Sequence, residues 1–124
     1  MPLVEQSRRG LGVKTDPKDS DIFVNDDGNV RPYSGGMSVS PYDFNNLPSF
    51  KLSQKFGGTA KNPDPIWCIN SALFVITGGL FFNPDIPVGA THGTVQPLYV
   101  MSLKSYQDHL AATQASWLKI SDQK

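Results

Sequence analysis

Pro97 and Ser102 bracket the one junction in this chain where a strand has to stop and a helix can start. From His92 onward, Thr94 and Gln96 alternate with apolar Val95, and Leu98 and Val100 carry the pattern past Pro97. Alternation of this kind reads as a strand. A proline has no N–H to give to a ladder, so Pro97 marks an edge, a bulge or the strand's end. Ser102 is a favourable helix N-cap, because its hydroxyl can accept from a first-turn N–H. After it Leu103, Tyr106, Leu110 and Trp117 recur at helical spacing, with Ala111 and Gln114 between them. Met101, one place before the cap, is set to pack on Tyr106 as a hydrophobic staple. Tyr106 and Trp117 are therefore expected in the core. Any chemistry in this stretch falls to His92 and Gln96, on the strand that feeds the helix.

Ten prolines and eleven glycines among 124 residues predict many turns and short strands rather than a helical bundle. The length suits a single domain over residues 1–124. Eleven basic residues balance eleven acidic ones, so no net field draws the chain to duplex nucleic acid or to an anionic membrane. Cys68 is the one cysteine, which rules out an internal disulfide. It lies in the apolar run Ile66-Trp67-Cys68-Ile69, where a buried, inert thiol in a reducing compartment is expected. The apolar run from Leu73 to Phe82 is too short to span a bilayer, which takes about 20 residues. The N-terminus lacks the apolar centre of a signal peptide. A cytoplasmic setting is the expectation.

Leu3 to Leu11 reads as a first strand ending in the pair Arg8-Arg9, and Asp16-Pro17 marks a turn. Asp21 to Val24 and Asn29 to Tyr33 flank Asn25-Asp26-Asp27-Gly28, a hairpin signal. Gly35-Gly36 allow a sharp bend or close approach of the backbone, and Ser38-Val39-Ser40 read as a short strand with its hydroxyls on one face. Pro41 to Leu47 suggest a helical turn. Ile66 to Ile69 and Phe74 to Ile76 are expected as central strands, with Leu80 to Phe82 pairing beside them after the Gly78-Gly79 turn. The sum is a strand-rich α+β domain with one convincing C-terminal helix.

Several chemistries find no support. The acidic turn lacks the ligand ladder and closing Glu of a calcium loop. Neither Gly35-Gly36 nor Gly57-Gly58 leads into the Gly-Lys-Ser/Thr of a phosphate loop. His92 and His109 have no ligand cluster at zinc spacing, and His109 is expected on the solvated side of its helix. No Gly-x-Ser-x-Gly elbow marks a serine hydrolase. A Cys/His hydrolase would need Cys68 exposed beside His92, against its apolar neighbours. Asp26, Asp27, Asp64 and Asp85 are loop aspartates with no pairing evident from their spacing.

One dispersed constellation does hold together. It comprises Arg8 or Arg9 at the end of the first strand, the segment Gly35-Gly36-Met37-Ser38-Val39-Ser40, and the strand His92-Gly93-Thr94-Val95-Gln96-Pro97. This resembles the ADP-ribosyltransferase arrangement of an arginine, then Ser-x-Ser, then an acidic or amide residue on a late strand. More narrowly, it is similar to the small Tse-type toxins exported by type VI secretion, which carry an ADP-ribosyltransferase-like fold. The Pro84-Asp85-Ile86-Pro87 loop and the Met101 step into a helix with Tyr106 and Leu110 belong to the same pattern, which spans about half of the chain.

The resemblance implies two small, twisted, mainly antiparallel sheets facing a cleft, with NAD⁺ as substrate. A guanidinium grips a pyrophosphate with paired charge-assisted hydrogen bonds, the role implied for Arg9, or Arg8 in the other register. Gly35 and Gly36 would let the main chain approach the nicotinamide amide. Ser38 would orient the nicotinamide ribose, and His92 would lie in the cleft. Loss of nicotinamide builds an oxocarbenium-like ribose, which a late-strand Glu assists in such transferases. Gln96 stands at that position here. It can bind a hydroxyl but carries no charge and is no general base. Gln96 serves binding alone, or another acid such as Asp85 serves, or the fold is kept without the reaction. A toxin of this kind implies an antitoxin or immunity protein that plugs the cleft, and a macromolecular target in a cytoplasm. The rival readings are a non-enzymatic protein-binding module and a hydrolase acting through Cys68 or an aspartate.

Overall fold

A computed structural model describes residues 2–5, 10–16, 18–40, 51, 54, 58–61, 65–85 and 92–121. Arg8 and Arg9 lie outside the described residues, as do Pro41 to Leu47. The chain is mixed α+β. Its strands are β1 (Thr15–Asp16), β2 (Asp19–Ser20), β3 (Asn29–Val30), β4 (Met37–Val39), β5 (Ile66–Cys68), β6 (Leu80–Pro84), β7 (Gly93–Pro97), β8 (Met101–Ser102) and β9 (Leu118–Ser121). Helix α1 (Ala72–Thr77) precedes β6, and α2 (Leu103–Ala112) follows β8. Among the described residues the strands form four sheets, with every named pairing antiparallel: β4-β7-β6 is three-stranded, and β1-β2, β3-β8 and β5-β9 are pairs. Four small sheets among the described residues thus stand where two were expected.

The C-terminal junction forms as its residues dictate. Pro97 is the last residue of β7, opposite Leu80. The Ser102 hydroxyl accepts from the Ser105 N–H at 3.0 Å, and Met101 and Tyr106 are buried in one core cluster. Tyr106 is the centre of that core. Its hydroxyl donates to the Val95 carbonyl at 2.6 Å and accepts from the Met37 N–H at 2.9 Å, tying α2 to both β4 and β7. Burial raises the Tyr106 phenol above its ordinary range. The Met37 N–H opposes that rise and the charge of Asp21 adds to it. Gln107, one place on, is buried and accepts from the Val13 N–H at 2.8 Å, so α2 also holds the N-terminal segment.

Several expectations are corrected. The helix does not run on to Trp117. Buried Thr113 turns its hydroxyl back onto the Leu110 carbonyl, the chain tightens into a 3-10 turn over Gln114–Ser116, and Trp117 follows in extended conformation. Trp117 still packs inward, 6.2 Å from the Phe74 ring, with its Nε1–H on Thr113. Phe74 to Ile76 is not a strand but the middle of α1. The Asn70 side chain accepts from the Ala72 N–H at 3.0 Å and the Asn70 carbonyl from the Leu73 N–H, which starts a helical turn despite the β-branched residues. β5 is not central either, since among the described strands it pairs with β9 alone, and Cys68 there is half-buried.

The acidic turn forms, with the Asn25 side chain accepting from both the Asp27 and Asn29 N–H groups. Its two arms do not pair as a hairpin. β3 goes to β8, and Ile22 bridges Gly35 instead. His109 is not simply solvated, because its ring lies over Gly79, where an added Cβ would sit 2.6 Å from Nε2.

Candidate functional site

Successive side chains on a strand point to opposite faces. On the three-stranded sheet, Met37, Val95 and Leu80 face the core. The alternate residues share the outer face. Ser38 is opposite Thr94, Asn83 is opposite Thr94 on the other side, and Phe81 is opposite Gln96. At the far end the Asp85 N–H donates to the His92 carbonyl at 3.0 Å, which extends the β6–β7 ladder by one pair. The Asp85 carboxylate meets His92 Nδ1 at 2.6 Å. Hydroxyl, amide, imidazole and carboxylate groups from three strands therefore line one surface.

Two of the three dispersed segments singled out in the sequence converge here. Ser38 is exposed, while Gln96 is buried with 4% of its surface accessible. Both ends of the Gln96 amide are in use. Its Oε1 accepts from the Tyr33 N–H and its Nε2 donates to Thr94 Oγ1, each at 2.8 Å. As built, Gln96 is a structural strap, and a ligand hydroxyl would have to displace one of these bonds.

What Gln96 holds is unusual. Tyr33 has φ +63°, the one described non-glycine residue in the left-handed region. That conformation costs an aromatic residue on the order of 1–3 kcal/mol and persists only where surroundings impose it. The Tyr33 ring stands 77% exposed, edge-on to Phe81 with centroids 5.8 Å apart. A strained backbone that presents an aromatic ring at the rim of a polar face suits a ligand with a flat ring and hydroxyls.

Gly35 and Gly36 lie beside this site, and protein contacts fill the space at both. A Cβ on Gly36 would sit 2.3 Å from the Val95 carbonyl oxygen and 3.2 Å from the Tyr106 hydroxyl. Gly35, at φ +101°, would meet the Asp21 carbonyl oxygen at 2.3 Å. Both glycines thus let strands and Tyr106 close up. His92 and Asp85 are half-exposed, at 47% and 48% of their side chains.

Sequence reasoning missed Tyr33, Asn83 and Arg31. Phe81, Asn83 and Asp85 fall at period two, which could have flagged Asn83 as a face residue despite Pro84. Nothing local announces a left-handed Tyr33, because the strap that imposes it comes from Gln96, distant in sequence. Arg31, in the same loop, is the only arginine among the described residues. Its Nε–H donates to Ser34 at 3.0 Å and its guanidinium lies over Phe23 at 6.0 Å. Among the described residues no three His, Cys, Asp or Glu side chains group to hold a metal, and no helix is long and apolar enough to cross a membrane.

Comparison with models of known protein families, with curated proteins and with solved structures found no match to this chain.

Proposed function

We propose that the outer face of the β4-β7-β6 sheet binds NAD⁺, and that the chain is a small toxin with an ADP-ribosyltransferase-like fold acting in a cytoplasm. The observation that supports this reading is one sheet face that carries Ser38 on β4 and, across β7 and β6, the Gln96-strapped Tyr33 ring against Phe81. The ring offers a flat surface to a base. Ser38, Asn83 and the Asp85–His92 pair offer partners to ribose hydroxyls. Arg9, or Arg8, supplies the pyrophosphate grip from the segment before Gly10. Gln96 positions rather than reacts, since both ends of its amide are engaged within the protein. The acid left to steady an oxocarbenium-like ribose is Asp85.

The test is thermal unfolding with millimolar NAD⁺. A ligand that binds only the native state stabilises it by RT ln(1 + [L]/Kd), about 2.7 kcal/mol at a hundredfold excess over Kd. A rise in Tm that is lost in Arg9→Ala but kept in Arg31→Ala supports both the site and the grip. No rise at all removes the reading. Growth arrest on inducible expression, relieved in Asp85→Asn, is the corresponding cellular result, and an immunity protein covering this face should relieve it too.

A second reading, a non-enzymatic protein-binding module, is favoured by a different observation. Leu98, Tyr99 and Val100 form an exposed run at 43%, 55% and 60% of their surfaces, between β7 and β8. Exposed apolar runs of this kind mark partner contacts more often than ligand pockets. A stable partner lost in Tyr99→Asp, with no NAD⁺ response, would select it.

A further inference from the structure

We propose that Asp85, His92 and Ser40 form an acid–imidazole–hydroxyl relay across β6, β7 and the end of β4, and that it supports acyl transfer from small esters to water. The inference goes beyond NAD⁺ binding and shares only the Asp85–His92 pair with it.

The pair comes first. The contact between Asp85 Oδ2 and His92 Nδ1 measures 2.6 Å, and a main-chain bond between the same two residues fixes their opposition. A carboxylate on Nδ1 sets the tautomer in which Nδ1 carries the proton and Nε2 is the free base. Described contacts leave Nε2 without a partner: the one hydrogen bond of the His92 ring is that to Asp85.

The nucleophile comes from register. β4 runs against β7 with Met37 opposite Val95, Ser38 opposite Thr94 and Val39 opposite Gly93. Continued one residue past the ends of both strands, the same register would set Ser40 opposite His92. Directly opposed residues in an antiparallel pair bring their Cβ atoms to about 4.5–5.5 Å, within reach of a serine hydroxyl and an imidazole. Val39 packs on the core, so the parity of the strand places Ser40 on the outer face with His92 and Asp85. Strand order thus sets carboxylate, imidazole and hydroxyl in line, without the strand-to-helix elbow that a sequence motif would reveal. Such relays are recognised by geometry and roles rather than by position along a chain. Thr94 adds a donor next to them. Its Oγ1 already accepts from Gln96, and no contact among the described residues takes its own hydroxyl proton, which could turn to an oxyanion.

The chemistry balances without a cofactor. Ser40 Oγ attacks the ester carbonyl carbon as its proton passes to His92 Nε2, and Asp85 steadies the imidazolium. The carbon–oxygen bond to the leaving group breaks, and the imidazolium proton goes to the departing alkoxide, giving an alcohol. Water then attacks acyl-Ser40, passing a proton to His92. The carboxylic acid leaves as Ser40 regains that proton.

The experiment uses the full chain and an alkyl fluorophosphonate, which reports an activated serine by displacement of fluoride. One adduct is expected, mapped to Ser40 by peptide mass spectrometry. It should be absent in Ser40→Ala, present in Ser105→Ala, and formed at least ~100-fold more slowly in His92→Ala, the scale of general-base assistance. Asp85→Asn should slow it as well. No adduct, an adduct on Ser38, or an undiminished rate in His92→Ala overturns the proposal. Circular dichroism of each variant guards against misfolding. The NAD⁺ thermal shift of the unsubstituted chain separates the two readings: labelling without a shift leaves the relay standing while the NAD⁺ reading fails, and a shift without labelling does the reverse.

Discussion

The two faces of the β4-β7-β6 sheet are made by the same three strands yet follow different rules. On the inner face Met37, Leu80 and Val95 are 6%, 0% and 0% exposed and close on Tyr106. Burial there removes apolar area from water at about 25 cal/mol per Å², and the buried Tyr106 hydroxyl is bonded as both donor and acceptor. On the outer face Ser38 and Asp85 are exposed, a tyrosine is held in a strained conformation, and the largest amide is spent on holding it. The inner face is optimised for stability. The outer face carries strain and unpaired hydrogen-bonding capacity, which is the usual mark of a surface kept for contact rather than for folding.

That contrast can be broken most forcefully at Tyr106. Replacement by Ala opens a cavity and leaves the Met37 N–H and Val95 carbonyl without partners, so a loss of about 3–5 kcal/mol is expected from urea unfolding. Tyr106→Phe keeps the ring and loses only the two hydrogen bonds, and should cost about 1–3 kcal/mol. The same residue gives a pH test. Because the folded-state phenol titrates above its unfolded value, its contribution is fully present below about pH 10. That contribution declines as the pH rises above the unfolded value towards the folded one. Wild type should therefore lose stability in strong alkali faster than Tyr106→Phe, and parallel pH profiles would contradict this.

Gln96 bridges the two faces. Gln96→Ala should cost about 1–3 kcal/mol by orphaning the Tyr33 N–H. It should also loosen the Arg31–Gly35 loop, seen as faster amide exchange at Tyr33. If exchange at Tyr33 is unchanged, the strap is not what holds the ring. At the helix start, Ser102→Ala should cost about 1 kcal/mol through the lost cap. Ser38→Ala, purely on the outer face, should change stability by less than about 0.5 kcal/mol. A larger loss at Ser38 than at Ser102 would erase the distinction between the faces.

Local signals were legible wherever the cause and the effect were neighbours in sequence. The Ser102 cap, the Met101–Tyr106 staple, the stop at Pro97, the turn at Asn25–Gly28 and the Ser38–Val39 strand all depend on residues within a few positions. That Ser38 and Gln96 share one face of neighbouring strands depends on the β4–β7 register, and the use of Gln96 as an internal strap was not legible. Phe74 to Ile76 misled because β-branched residues favour strands on average, while the Asn70 turn and the packing of Phe74 on Trp117 decided otherwise.

The amino-acid order alone determined where helix α2 begins, which side of it is buried, and that the chain would be built from short strands broken by proline and glycine. Those features arise from torsional limits and capping bonds that act over a few residues. Tertiary structure alone decided that β3 pairs with β8 instead of its hairpin neighbour, that Gln96 bends Tyr33 into the left-handed region, and that Asp85 meets His92. Each depends on which distant segments share the core around Tyr106, and the energy of such contacts appears only once the chain has closed on itself.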